Sequence, residues 1–321
     1  MTKISTSLTE MLGIEHPILL APMGSAAGGK LAAAVTHAGG LGLIGSGYAD
    51  ADAIRNELVQ AGNAPVGIGM ILWALDGNPE ALDVALAVKP PAVMLSFGDP
   101  SPYVDKIHDA GSRVICQVQS LTQARQAADA GADIIIAQGR DAGGHSGTMR
   151  GTMGLVPAVV DAVGSIPVVA AGGIADGRGL AAALSLGAAG VLMGTRFTAA
   201  AESLWNDAMK EQVIGAGGDD TEQTRVFDIV RGAPWPAHFP GRAVKNKFFD
   251  EWHGREEALT ADRVAVDERY GASDPADVSM RAVWTGEGVD LVRGVLPAAD
   301  IVNQTVAEAI SALRHSAGLV R

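Results

Sequence analysis

The sequence predicts an α/β fold, a TIM (β/α)8 barrel with an added helical subdomain after the eighth strand. Three observations predict it. Short, continuously apolar runs recur between residues 18 and 193, alanine-rich stretches of helical composition separate them, and this rhythm stops after Thr195. Strands buried on both faces of a parallel sheet read as unbroken apolar runs, and eight strand-helix units in series are what a closed barrel requires.

In order along the chain, Ser7 with Glu10 fits a capping box for a short leading helix. The eight runs are Ile18-Leu19-Leu20-Ala21, Leu41-Gly42-Leu43-Ile44, residues 66–71, Ala92-Val93-Met94-Leu95, Val114-Ile115-Cys116-Gln117, Ile134-Ile135-Ile136, Val168-Val169-Ala170 and Val191-Leu192-Met193. Residues 30–38, 51–61, 79–87, 121–130 and 177–186 are the alanine-rich helical stretches between them. Phrases such as Ala38-Gly39-Gly40, Ala61-Gly62, Ala110-Gly111 and Ala130-Gly131 read as helix C-caps that feed the next strand. Beyond Thr195 the composition changes: ten of the fourteen aromatic residues fall between 195 and 300. These rings either form a core of their own or face the barrel mouth. The expected division is a barrel of residues 1–195 and 301–321, closed by a last helix from about Ile301 to Arg314, with 196–300 an inserted, mostly helical subdomain over the mouth.

Composition excludes several function classes. At 321 residues and 48% hydrophobic, the chain suits one elaborated domain. Its 36 acidic and 24 basic residues give a net charge of −12 with no lysine or arginine block, which disfavours nucleic acid and points to a small-molecule partner. The lone Cys116 sits in an apolar run and reads as core packing. The start lacks a signal-peptide core and no long uncharged apolar run suggests a membrane span, so a cytoplasmic location is expected by elimination. Oligomeric state is left open.

Active sites of such barrels lie at the C-terminal ends of the strands. There the sequence places Pro22-Met23-Gly24, Gly45-Ser46, Leu72-Trp73, Ser96-Phe97, Gln117, Gln138, Gly172-Gly173 and Gly194-Thr195. No Schiff-base lysine, no His-x-His pair for a metal and no carboxylate pair stands among them, so a mouth this poor in reactive groups borrows its chemistry from a cofactor. Ala171-Gly172-Gly173-Ile174 ahead of a helix near Gly177, and Met193-Gly194-Thr195 after the last run, are where a barrel often binds phosphate, through glycine N–H groups and a helix N-terminus. The alternative is that each pair is only a tight turn.

One titratable side chain stands out, His145 in Ala137-Gln-Gly-Arg-Asp-Ala-Gly-Gly-His145. An imidazole on a glycine-rich loop after the sixth strand suits proton transfer or support of an anion. Asp141, four residues earlier, either orients that ring or, like Arg140, is a solvated rim charge. His16, His37 and His108 read as structural, whereas His238 and His253 lie where they could reach the mouth.

The segments Ala21-Pro22-Met23, Ala38-Gly-Gly-Leu-Gly42, residues 137–145, Ala171-Gly-Gly-Ile174 and Met193-Gly-Thr-Arg-Phe197, with Thr224-Arg225-Val226-Phe227 and Gly241-Arg242-Ala243, together resemble the nitronate monooxygenase family, formerly called 2-nitropropane dioxygenases. That resemblance implies an FMN-dependent TIM barrel with flavin at Gln138, Gly143, Gly172, Gly173, Leu192, Met193, Gly194 and Thr195, and with Met23 beside the isoalloxazine ring. It implies His145 as the catalytic histidine, and oxidation of nitronates or nitroalkanes by O2 to carbonyl compounds and nitrite, without nicotinamide. One departure is Gly69, which stands in the third strand where family members often carry an asparagine that touches the cofactor. The same Gly-Gly-His loop occurs in FMN-dependent, NAD(P)H-using enoyl-acyl carrier protein reductases and quinone reductases, the alternative reading. A flavin-free phosphate-binding barrel is a third.

Overall fold

The computed structural model describes residues 3–320, so residues 1–2 and 321 of the expected barrel segment lie outside the described residues. The strands are β1 (Ile18–Leu20), β2 (Leu43–Gly45), β3 (Gly67–Ile71), β4 (Ala92–Ser96), β5 (Arg113–Val118), β6 (Ile134–Gln138), β7 (Gly144–His145), β8 (Val168–Ala171), β9 (Gly190–Met193), β10 (Thr221–Thr224) and β11 (Gly241–Val244). Each of the eight apolar runs carries one strand of a parallel eight-stranded sheet ordered β1-β9-β8-β6-β5-β4-β3-β2. A parallel bridge between Leu19 and Leu41, with Leu20 N–H donating to Leu41 O and Leu41 N–H to Ile18 O (both 3.0 Å), joins the two ends and closes the TIM barrel.

Alternation along the strands divides the core into two layers. Leu19, Leu43, Met94, Ile115, Ile134, Ile136, Val169 and Leu192 pack with one another, and Leu8 of the leading helix Ser7–Leu12 joins them. Their neighbours Ile18, Leu20, Ile44, Val93, Val114, Cys116, Ile135 and Val191 pack instead with the surrounding helices. Full burial of each such Leu or Ile contributes about 1.5–3 kcal/mol, so both layers favour one register. Cys116 is therefore a core residue, and burial pushes its thiol up to about 12.

Two details differ from expectation. The leading helix is capped by Thr6, whose backbone is extended, and Thr9 completes the capping box, because Ser7 is already helical and Glu10 lies one position too far to reciprocate. The last helix is longer than expected, Ala298–Ala317.

After β9 come the helices Asp207–Gly215, Val226–Val230, Lys247–Trp252, Glu256–Ala261 and Arg263–Ala272, together with two strands. Strands β10 and β11 pair antiparallel, and β11 also pairs with β7, setting Gly241 opposite His145 and Arg242 opposite Gly144. The loop after β6 is thereby tied to the added segment. Phe227, Phe248, Phe249, Trp252 and Tyr270 form that segment's own apolar cluster. Among the described residues no helix is long and apolar enough to cross a membrane, and no group of His, Cys, Asp and Glu is arranged to hold a metal ion.

Candidate active site

A cleft of about 410 Å³ opens at the C-terminal ends of the barrel strands. Of the residues singled out from sequence, Met23, Gly69, Gln138, Gly143, His145, Gly172, Gly173, Leu192, Gly194 and Thr195 all line it. Met193 does not: strand alternation turns its side chain outward into the helix-facing layer. His238 and His253 are also absent from the lining; His238 packs on Phe239, and His253 packs on Phe249.

Backbone geometry at the two glycine loops leaves donors free. Gly172 (φ +109°) and Gly173 (φ +69°) hold left-handed conformations that a side chain would strain. Among the described residues, the backbone N–H groups of Gly173, Gly194 and Thr195 have no acceptor within the protein. The helix Gly177–Ser185, expected to add its N-terminus to this place, is already capped. Asp176 accepts from Arg178 N and Gly179 N, and Glu308 accepts from Gly177 N at 3.0 Å. Two carboxylates thus use that helix end, and only the loop donors remain for an anion.

Two close approaches order the added segment beside the cleft. Gly143 lies so near the 285–286 backbone that a Cβ on it would come 2.5 Å from Gly286 N, and Gly286 N–H donates to Thr195 Oγ1 at 2.9 Å. Buried Arg242 of β11 pairs with Glu287 at 2.9 Å and donates to Thr221 Oγ1. Below, Gln138 donates to the His145 carbonyl at 3.1 Å and accepts from Gln117 and Gln119. The position of His145 is therefore fixed by the barrel and the added segment together.

The imidazole itself has one strong partner. His145 Nε2 lies 2.9 Å from Asp228 Oδ2, and the other oxygen of Asp228 accepts from Arg231 Nη2 at 2.9 Å. Asp141 plays no part in this: its carboxylate accepts from Thr152 N at 2.6 Å, at the start of the helix Thr152–Val163. Of the two readings of Asp141, that it orients the ring does not hold, because that helix start offers it an orphan N–H donor. Trp235 stacks on one face of the imidazole, with centroids 3.5 Å apart and planes 4° apart. Burial pushes the His145 pKa below its ordinary value and Arg231 adds to this, while Asp228 opposes it. With Nε2 engaged by Asp228, Nδ1 is the ring nitrogen left without a protein partner among the described residues.

Sequence reasoning did not single out Asp228 or Arg231, and placed Trp235 only among the rings that either form a core of their own or face the mouth. Asp228 and Arg231 carry no local signal, since they meet His145 only through the fold. Trp235 offered one, a large ring between two prolines, Pro234 and Pro236.

The lining has a pronounced charge bias. In a chain of net charge −12, no Asp or Glu lines the cleft among the described residues, and Arg231 is its cation.

A model of the nitronate monooxygenase family matches residues 5–81 and 73–308. This chain belongs to that family. Full-length relatives agree with that membership: the nitronate monooxygenase of Neurospora crassa is 33% identical, over 92% of this chain and 89% of its own. An octahydroindene carboxyl-CoA dehydrogenase of Rhodococcus jostii is 38% identical over 71% of this chain; that match spans 65% of the dehydrogenase, under two thirds of its length. Among solved structures, FabK from Thermotoga maritima superposes with a TM-score of 0.85 at 34% identity, covering 99% of this chain and 100% of the other. Nitroalkane oxidase from Streptomyces ansochromogenes gives 0.80 at 30%, covering 96% and 99%.

Proposed function

We propose that this member of the nitronate monooxygenase family binds FMN and oxidises nitronates, or nitroalkanes after loss of their α-proton, with O2 to carbonyl compounds and nitrite. The observation that carries this reading is the charge bias of the cleft, which has no lining carboxylate to repel either the flavin phosphate or a nitronate anion. Residues 196–300 serve in this reading as the roof of the site.

The residues present fit the cofactor. Free N–H groups at Gly173, Gly194 and Thr195 suit a phosphate, and the buried Ser46 hydroxyl in the lining has no protein partner. Met23, Gly69 and Gln138 offer apolar contact, bare backbone and an amide for a flat ring system. When bound, the flavin supplies the redox chemistry, accepting electrons from the nitronate and passing them to O2.

This chain's side chains perform the remaining work. Asp228 accepts the Nε2 proton of His145 and so holds the tautomer whose Nδ1 is a base, while Arg231 keeps the Asp228 carboxylate in place. His145 removes the α-proton of a neutral nitroalkane, and the imidazolium formed beside Asp228 faces the resulting anion. A preformed nitronate needs no such step, and for it the site supplies orientation alone.

The test is O2 uptake with nitrite release on adding 2-nitropropane or its nitronate to the FMN-loaded protein. Stoichiometric nitrite supports the reading; its absence with both refutes it. A second reading, an NAD(P)H-using flavin reductase, is favoured by the likeness to FabK and to the CoA dehydrogenase. It ranks behind because the family whose model matches the chain is that of the nitronate monooxygenases, and curated relatives bearing that name match it over about nine tenths of its length.

A further inference from the structure

We propose that the preferred substrates are nitronates bearing an aryl or bulky apolar substituent, and that Trp235 and Phe97 select them; the proposal rests on the nitronate reading above. Beside His145 the cleft wall is aromatic. Trp235 meets Phe97 edge-on at 4.9 Å and Trp73 at 5.1 Å, and its indole N–H donates to the Tyr48 hydroxyl at 3.2 Å. Trp73 packs on Tyr48 in turn, at 5.5 Å. These contacts join the added segment to the stretches that follow β2, β3 and β4, so the wall is fixed across the cleft.

Phe97 adds an independent sign. Its φ of +62° is a left-handed conformation that a bulky residue rarely adopts, and it places the ring in the cleft lining against Trp235. The 3.5 Å stack leaves no gap between Trp235 and His145, so a reacting carbon meets the imidazole at its open edge, and its substituent lies against the neighbouring rings. An aryl group there gains edge and face contacts. A carboxylate there loses its water and finds no lysine, and Arg231 is already engaged by Asp228.

The experiment compares kcat/KM of the FMN-loaded protein for the nitronates of phenylnitromethane and 3-nitropropionate. The proposal predicts at least about a tenfold preference for the phenyl compound, a ratio within reach of apolar pocket contacts. Trp235→Ala brings the ratio near unity, chiefly through KM for the phenyl substrate, and Trp235→Phe restores most of it. Equal or reversed preference in the wild type, or an unchanged ratio in Trp235→Ala, overturns the proposal. Phe97→Leu provides the same comparison should Trp235→Ala not fold.

Calorimetric titration with benzoate and acetate reads the wall without turnover. Tighter binding of benzoate, lost in Trp235→Ala, supports the aromatic site; equal binding overturns it. Benzoate selectivity in a protein that turns over no nitronate would refute the monooxygenase reading while leaving the aromatic site standing.

Discussion

In the proposed reaction His145 carries two duties that different substrates separate. His145→Ala is predicted to keep bound FMN and to lose about 10²- to 10⁴-fold of turnover with neutral nitroalkanes, the range expected of a general base, while preformed nitronates lose far less. Parallel kcat/KM measurements on 2-nitropropane and its nitronate check this, and equal losses would remove His145 as the base. Because burial lowers the imidazole pKa, activity on nitroalkanes should rise with pH through a value below 6.5 and then level off, and the nitronate profile should lack that limb. The same depression has a stability consequence. Below pH 6.5 the unfolded chain takes up the proton first, so this residue's contribution is present at neutral pH and is lost as the solution is acidified through the folded-state pKa. Asp228 raises that pKa, so Asp228→Asn should shift the kinetic limb to still lower pH and reduce nitroalkane turnover by at least about tenfold through loss of the oriented tautomer. A limb moving upward, or no change, would contradict the pairing.

At the scale of elements, β3 shows how one position decides what the site can hold. A Cβ on Gly69 would lie 2.3 Å from the ring of Pro22, so the space an asparagine side chain needs is taken by the loop after β1. Gly69→Asn is therefore predicted to weaken FMN retention and to cost about 1–3 kcal/mol by overpacking, seen as a Tm lower by several degrees. An unchanged Tm with tighter FMN would show that Pro22 yields easily. The eight barrel strands were legible because burial on both faces left each as an uninterrupted apolar run. The helix Thr152–Val163 was not among the stretches read as helical, since Gly154 and Pro157 interrupt its pattern. The glycine loops were legible as backbone that can approach a ligand, but the capping of the helix Gly177–Ser185 by Glu308 was not, because its donor and acceptor are 131 residues apart. For the same reason Asp141, near His145 in sequence, was weighed as its partner, and Asp228, 83 residues away, was not.

For the whole molecule, the added segment and the barrel meet at the cleft, through β7 and β11, Arg242 with the Arg140 carbonyl, and Trp235 with Tyr48. A ligand seated between them stabilises both. Saturation with FMN at about 100 times its Kd should add about 2.7 kcal/mol, raising Tm by several degrees, and riboflavin should do less if the Gly173, Gly194 and Thr195 donors hold the phosphate. Equal shifts from FMN and riboflavin would contradict that assignment. The most direct test of nitronate oxidation is anaerobic mixing of the FMN-loaded protein with the nitronate of 2-nitropropane in one cuvette and with NADH in another, followed by the flavin absorbance. Rapid loss of oxidised flavin absorbance is expected with the nitronate and none with NADH; rapid bleaching by NADH with an inert nitronate would instead make the protein a reductase.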